Sequence, residues 1–159
     1  DRSGRRSWYL PRSCRGTKDR VKVLWVKSEL LHPIDKGGKI RTFEMLRHLM
    51  RGHEVTYVCL VRPDDPREAF EKATEYCHHL VTVPWSEPPR FSAGFYLDLA
   101  KNLVSPLPYV IEKYCSQQML HWIATEDGRG AFDAIVCDFL TPAASIPRST
   151  RAATVVAIT

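Results

Sequence analysis

Apolar residues in this chain alternate between short uninterrupted runs and stretches in which they recur every three or four positions. The first run, VKVLWV at 21–26, is rich in β-branched residues and predicts a strand buried on both faces of a parallel sheet. Four apolar residues then follow at helical spacing: Ile40, Phe43, Leu46 and Leu49. Gly52 comes next, where a left-handed helix end is expected. The opening of the chain therefore predicts a strand followed by a helix.

The same alternation continues along the rest of the chain. Further strands are predicted at 53–61, 79–85, 132–139 and 153–159. Residues 64–77 predict a helix that is capped by aspartates and a proline at its amino end. Helical spacing from Pro108 onward predicts another helix, which should stop before 126–130. Thr141 and Pro142 predict the N-cap and the first position of a last helix.

Residues 86–109 are rich in proline and aromatic residues and have no clear period. We expect a loop there, with a short helix near 93–103. The aromatic residues in and beside this region are expected to pack in a core or a lid rather than to form a platform for a sugar ring: Trp85, Phe91, Phe95 and Tyr96.

Strands that alternate with helices predict an α/β fold. The expected architecture is a doubly wound, Rossmann-like parallel sheet of about five strands, with right-handed crossovers and helices on both faces. In such a sheet the first strand lies beside the fourth. The chain then divides into a basic, disordered tail at 1–20 and one domain at 21–159.

The composition is that of a globular protein. The chain has 159 residues, of which 44% are hydrophobic and 26% charged, so it is long enough to bury a core. No apolar run approaches the roughly 18 residues of a membrane span, and we expect a soluble protein. The five cysteines are scattered without a CxxC pair, which favours reduced, cytosolic thiols. Much of the net charge of +5 lies in the tail, and a nucleic-acid role for the tail is the lesser alternative.

The stretch DKGGK carries the first candidate chemistry, because its glycines lie where the first strand passes into the first helix. Gly37 and Gly38 allow backbone N–H groups to approach a ligand closely, at a helix end that favours phosphate. The spacing is neither the G-x-G-x-x-G of dinucleotide sites nor a P-loop. The connection exceeds the usual length of about two to six residues, which is typical of a binding loop. The alternative is a simple bend with solvated cations at Lys36, Lys39 and Arg41.

Asp138 is the second candidate, because it ends the fourth predicted strand. Doubly wound sheets bind ligands in the crevice at the carboxyl ends of the strands, where the strand order reverses. The glycine turn and Asp138 are therefore expected to open onto one groove. The alternative is that Asp138 only caps the helix predicted at Thr141.

Two further sets of residues are expected to be structural. His53 opens the second strand and should satisfy a local hydrogen bond. The adjacent Cys77, His78 and His79 would point to opposite faces of a strand, so no metal site is expected there.

The run VKVLWVKSELLHPIDKGGKIRTFEMLRHLMRGHEVTYVCLV at 21–61 resembles the opening of the glycosyltransferases of the GT-B fold. It is most similar to the amino-terminal domain of the group 1 (family 4-like) retaining enzymes. The shared features are a hydrophobic first strand, a loop that ends in a proline and then a glycine-rich turn, Arg41-Thr42 opening the first helix, and HEV leading into the second strand. FDAIVCDFLTPAA at 132–144 resembles the family's later strand and helix start.

The resemblance implies a nucleotide-sugar donor, a glycan or lipid-linked acceptor docked mainly on this domain, and transfer with retention, without a metal or other cofactor. It also implies a cytoplasmic protein that touches the membrane where the acceptor is a lipid, with no nucleic-acid partner. Family members carry a second Rossmann-like domain that binds the nucleotide through paired glutamates. We therefore expect this chain to be a fragment that lacks that domain and is inactive alone.

The resemblance also assigns residues. By position, Gly37 and Gly38 match the turn that approaches the donor phosphates and sugar, and Lys39 and Arg41 lie beside them, where they would position phosphate or acceptor. Asp138 stands roughly where several relatives carry a histidine that contacts the acceptor or donor sugar, and it is the candidate catalytic residue. The hypothesis from another class is a stand-alone, flavodoxin-like module that senses phosphate or binds a protein.

Overall fold

The computed structural model describes residues 20–86 and 114–157. Within these ranges the strands are β1 (Lys22–Lys27), β2 (Glu54–Val61), β3 (His79–Pro84), β4 (Ala134–Asp138) and β5 (Ala153–Ala157). The α-helices are α1 (Gly37–Leu49), α2 (Arg67–Glu71) and α3 (Gln117–Gly128). Turns of 3₁₀-helix lie at Lys72–Glu75 and Ala143–Ser145.

All the strand pairs are parallel, and the order in the sheet is β3-β2-β1-β4-β5. β1 is central, with Trp25 opposite Tyr57 of β2 and Val136 of β4. The order is that of a Rossmann-like sheet, so the predicted α/β fold and the predicted contact between the first and fourth strands are confirmed. It differs from the flavodoxin-like order 2-1-3-4-5, so the flavodoxin-like architecture of the alternative hypothesis is wrong.

Alternating side chains of the central strands fill two apolar cores, one on each face of the sheet. Trp25 and Tyr57 pack in a cluster with Leu46 of α1. Leu24, the neighbour of Trp25, packs in the other cluster with Ile123 of α3. Full burial of one such aliphatic side chain stabilises the fold by about 1.5–3 kcal/mol. The predicted placement of helices on both faces is confirmed.

α1 differs from its prediction in its buried face and in its end. Ile40 is 50% exposed, because the face turned to the sheet carries Lys39, Thr42 and Leu46. Gly52 does not adopt the predicted left-handed conformation. The helix instead ends with the carbonyl of Leu49, which accepts hydrogen bonds from the backbone N–H groups of Gly52 at 3.1 Å and His53 at 2.9 Å.

The region predicted as one capped helix at 64–77 is shorter and irregular. The five residues of α2 are followed directly by the 3₁₀ turn, and Pro66 at the N-cap provides no side-chain cap. Asp65 does not cap the helix, because its carboxylate accepts a hydrogen bond from the backbone N–H of Arg62 at 2.8 Å. The predicted aspartate cap is wrong because the preceding turn uses this carboxylate.

α3 begins and ends later along the chain than predicted. It begins after Ser116, whose hydroxyl accepts a hydrogen bond from the N–H of Met119 at 3.2 Å. It runs through Gly128 instead of stopping before 126–130. Its last turn is held because the buried carboxylate of Asp127 accepts hydrogen bonds from two backbone N–H groups just before β5, at 2.7 and 2.9 Å.

The helix predicted to start at Thr141 and Pro142 is a single 3₁₀ turn. Thr141 does not act as its N-cap, because the Oγ1 atom lies 3.2 Å from Oγ of Ser28 at the end of β1. A contact between residues that follow two adjacent strands thus replaces the local cap.

Several predictions fall outside the described residues: the tail up to residue 19, the short helix at 93–103, and Phe91, Phe95 and Tyr96. Among the helices at 20–86 and 114–157, none is long and apolar enough to cross a membrane. The cysteines of these ranges are all free thiols, and their His, Cys, Asp and Glu residues form no group of three that would hold a metal ion.

Candidate functional site

An open cavity of about 610 Å³ lies at the carboxyl ends of the central strands, beside the amino end of α1. Its lining includes Lys27 and Ser28 at the end of β1, Phe139 and Thr141 after β4, and Lys39 of α1. After β1 the chain continues toward one edge of the sheet, and after β4 it continues toward the other. The crevice between the two connections is the usual ligand position in doubly wound folds. The cavity is therefore the candidate site.

Beneath the cavity, the carboxylate of Asp138 is fully buried and joins β4 to β1 and α1. Its Oδ2 atom accepts hydrogen bonds from Lys27 Nζ at 2.6 Å, Thr42 Oγ1 at 2.5 Å and Trp25 Nε1 at 3.3 Å. Its Oδ1 atom accepts a hydrogen bond from Arg41 Nη2 at 2.7 Å. These partners come from β1 and α1, so the alternative in which Asp138 caps a helix at Thr141 is wrong.

The alternation of the strands explains why these groups meet. Trp25 and Lys27 share one face of β1, and Asp138 lies on the same face of β4, which α1 covers. Burial lowers the pKa of Lys27, and the hydrogen bond and charge of Asp138 act against that shift. Removing one partner of such a buried pair leaves an uncompensated charge, which costs about 3–5 kcal/mol.

The amino end of α1 supplies the other two donors. Arg41 reaches the carboxylate from the exposed side, with 27% of its side chain accessible. The Thr42 hydroxyl lies 2.5 Å from Asp138 Oδ2 and 2.9 Å from the carbonyl oxygen of Gly38, and it accepts a hydrogen bond from Lys27 at 3.2 Å. The hydroxyl therefore links the glycine turn to the buried carboxylate.

Phe139 lines the cavity next to this buried cluster. Its backbone is left-handed, with φ of 69°, which is rare for a bulky residue and costs about 1–3 kcal/mol. Its ring lies near two cations, 4.5 Å from Lys27 Nζ and 5.2 Å from Arg41 Cζ. Both cations also bind Asp138, so the ring contacts the buried cluster through them.

The two glycines of the turn are not equivalent. A Cβ on Gly38 would lie 3.0 Å from Cζ of Phe139, whereas a Cβ on Gly37 would meet nothing within 4 Å. A side chain at position 38 would crowd the ring of Phe139, which approaches the helix at that point. The prediction that Gly38 and Asp138 open onto one groove is wrong: neither lines the cavity, because Asp138 is buried and the ring of Phe139 packs against Gly38.

The cations beside the glycines also differ. Lys39 is only 7% exposed, and its ammonium group donates to the carbonyl of Pro33 at 3.2 Å. It also lies 3.6 Å from Glu29 and 3.8 Å from Asp35. Lys36 is exposed, as the alternative with solvated cations predicts. For Lys39 that alternative is wrong, because its aliphatic stem packs inside the fold.

The far side of the cavity is aromatic. Trp85 stacks on Tyr114 at 5.3 Å between ring centroids, and the guanidinium of Arg62 lies 5.4 Å from the Trp85 ring. Trp85 therefore lines a cavity wall, and sequence reasoning missed both Arg62 and Lys27 as lining residues. The available signal was a single cation at the carboxyl end of each of two buried strands.

The two histidine predictions have different outcomes. His53 does not make the expected local side-chain hydrogen bond, because its buried Nδ1 atom has no partner in the described part of the chain. Nδ1 of His78 accepts a hydrogen bond from the N–H of Val55 at 3.1 Å, a structural role.

Comparison with known proteins identifies no relative. No protein-family model matches the chain, no curated protein matches it, and no solved structure matches it. The ligand-binding roles predicted for Gly37, Gly38, Lys39, Arg41 and Asp138 therefore stay predictions.

Proposed function

We propose that this chain is the acceptor-side domain of a glycosyltransferase of the GT-B type, which moves a sugar from a nucleotide-sugar to a glycan or lipid-linked acceptor with retention. The observation that carries the proposal is the 610 Å³ cavity at the carboxyl ends of β1 and β4, flanked by the glycine turn. The resemblance of 21–61 and 132–144 to that family supports the same assignment.

The turn would act on the donor. The N–H groups at the amino end of α1 carry partial positive charge, and Lys36 lines the cavity beside them. In the transfer, the bond between the anomeric carbon and the diphosphate breaks, a bond to the acceptor oxygen forms, and the proton of the acceptor hydroxyl passes to the leaving diphosphate. Negative charge grows on the leaving diphosphate, and donors already oriented toward it would stabilise that charge.

Asp138 would act as a positioning residue. Its oxygens already accept hydrogen bonds from side chains of β1 and α1, and the group is fully buried. Its contribution would be to hold Arg41 and the first turn of α1 in place under the cavity. Phe139, which covers the cluster, would be the residue of this strand end that faces the ligand.

The expected affinity of the chain alone is low. A helix terminus contributes about 1 kcal/mol toward an anion, and charge-assisted hydrogen bonds contribute about 1.5–3 kcal/mol each before the entropy of association is subtracted. A millimolar complex already requires about 4 kcal/mol net. We therefore expect the 159-residue chain to bind uridine and guanosine diphosphate sugars more weakly than micromolar in calorimetry.

The activity is tested with the protein translated from the whole reading frame that encodes this chain. Release of nucleotide from a panel of uridine and guanosine diphosphate sugars is measured with saccharide and lipid acceptors. We expect acceptor-dependent release that Gly38→Val abolishes and Gly37→Ala preserves, because only Gly38 contacts Phe139. Binding of phosphate esters without any release would favour the phosphate-sensing module. Micromolar donor affinity of the 159-residue chain would contradict the expectation that a second domain provides most of the donor affinity.

A further inference from the structure

The cations that line the cavity fall into two groups. Lys27 is paired with Asp138, and Lys39 lies within ion-pair distance of two carboxylates. Lys36 and Arg62 also line the cavity, but neither forms an ion pair with a residue of 20–86 or 114–157. Among the described lining residues, Lys36 and Arg62 are thus the lysine and arginine without an ion-pair partner.

The guanidinium of Arg62 lies over an aromatic ring on the cavity lining. Its backbone N–H donates to Asp65 at 2.8 Å, and its guanidinium lies 5.4 Å from the ring of Trp85. Trp85 is fixed in turn, because its backbone N–H donates to the carbonyl of Val61 at 2.8 Å and its ring stacks on Tyr114. A guanidinium that contacts an aromatic face can still offer its N–H groups in a fork-like contact with phosphate or carboxylate.

A second stacked arginine shows that stacking alone is not the signal. Arg47 lies over the ring of Phe43, also at 5.4 Å, on the exposed part of α1. It is 3.6 Å from the carboxylate of Glu44, and it does not line the cavity. Arg62 differs from Arg47 in lining the cavity, and no carboxylate of residues 20–86 or 114–157 forms an ion pair with its guanidinium.

We propose that Arg62 binds an anionic group, a phosphate or a carboxylate, carried by the acceptor. The proposal rests on the proposed function, since it names the acceptor class of that site. The glycine turn and Lys36 serve the donor at the end of β1, and Arg62 serves the acceptor at the end of β2, the neighbouring strand. The acceptor is then a phosphorylated or acidic sugar, or a phosphate-bearing lipid headgroup.

The test is a titration of the ¹⁵N-labelled 159-residue chain followed by NMR at low salt. The probes are methyl glucoside, glucuronate, glucose 6-phosphate and glycerol 3-phosphate. We expect the two phosphates and glucuronate to shift the Trp85 indole and Arg62 side-chain signals, and methyl glucoside to leave them unchanged. Stronger binding of glucose 6-phosphate than of glycerol 3-phosphate identifies a sugar source for the anion, and the reverse order identifies a lipid headgroup.

Variants decide whether Arg62 is responsible. Arg62→Gln should weaken the anionic probes by about tenfold, the factor that 1.4 kcal/mol represents. Arg62→Lys should give an intermediate loss, because lysine keeps the charge without the planar fork. Arg47→Gln is the matched control and should change nothing. Equal affinities in Arg62→Gln and Arg47→Gln, or no response at Trp85, would overturn the proposal.

The same variants separate this proposal from the proposed function. Acceptor-dependent nucleotide release that Arg62→Gln leaves unchanged would sink the acceptor assignment while the transferase stands. Arg62-dependent anion binding without nucleotide release from any donor would sink the transferase, and with it the acceptor role.

Discussion

Oδ2 of Asp138 lies 2.6 Å from the ammonium nitrogen of Lys27, although the two residues are 111 positions apart in the chain. Both side chains are buried, at 0% and 4% exposure, at the carboxyl ends of adjacent strands. The pair fastens β1 to β4 where the cavity opens, and Arg41 extends it to α1. The stability of the fold and the shape of the candidate site therefore depend on the same contact.

Replacing Asp138 should be strongly destabilising. Asp138→Ala leaves Lys27 buried without its partner, and we expect the free energy of unfolding to fall by about 3–5 kcal/mol in urea denaturation. Asp35→Asn is the control, because Asp35 is 56% exposed and lies 3.8 Å from Lys39, so its loss should cost less than about 1 kcal/mol. Similar losses in the two variants would refute a structural role for the buried pair.

The pH dependence of stability should include a contribution from Cys137. Burial, assisted by the charge of Asp138, raises the pKa of the Cys137 thiol from 9.0 to about 11. Between these values the unfolded thiol has lost its proton while the folded one keeps it, so stability falls as pH rises through this window and is fully retained below it. Each such proton changes the free energy of unfolding by up to about 1.4 kcal/mol per pH unit.

Cys137→Ala removes this contribution. Urea denaturation under reducing conditions should show a shallower loss of stability from pH 9 to pH 10 than in the unsubstituted chain, with a constant offset below pH 8. Parallel profiles for the two proteins across the whole range would contradict the assignment.

The two glycines of the turn should respond differently to alanine. Gly38→Ala places a methyl group 3.0 Å from the Phe139 ring, and we expect a loss of about 1–3 kcal/mol from overpacking. Gly37→Ala meets nothing within 4 Å and lies in the first turn of a helix, so it should be neutral or stabilising. Adding Phe139→Leu to Gly38→Ala should recover part of the loss in a double-mutant cycle. Additive effects would show that the ring is not what excludes the methyl group.

Because the backbone of Phe139 is left-handed, glycine should be more stable than alanine at this position, the reverse of their order in helices and strands. Both Phe139→Ala and Phe139→Gly lose the ring and its contacts with two cations. Only glycine adopts φ of 69° without steric cost, so Phe139→Gly should be more stable than Phe139→Ala by about 1 kcal/mol. Thermal unfolding of the two variants measures the difference directly, and a more stable alanine variant would argue against the left-handed conformation.

The strands and their order were largely predictable from the sequence. The runs at 21–26, 53–61 and 132–139 are largely apolar on both faces, a pattern typical of the centre of a parallel sheet. Alternation with helices then implies right-handed crossovers and places β1 beside β4. The glycine turn and Asp138 were recognisable for the same reason, because both lie at strand ends whose positions the pattern predicts.

Local capping rules were less successful. Gly52, Asp65 and Thr141 are residue types typical of helix ends, and none of them acts as predicted. In each case a contact that the rule does not consider satisfies the backbone or engages the side chain. A cap contributes about 1 kcal/mol, which neighbouring turns and distant strands readily outweigh.

By itself, the sequence determined the α/β class, the central strands and the glycine turn between β1 and α1, because these follow from hydrophobic period and turn chemistry within short windows. Only the tertiary structure decided that Lys27 is the partner of Asp138, that Gly38 and not Gly37 contacts Phe139, and that Arg62 stacks on Trp85. These contacts join residues from different strands and helices. Their energies depend on burial and on the partners that folding brings together, which no local pattern contains.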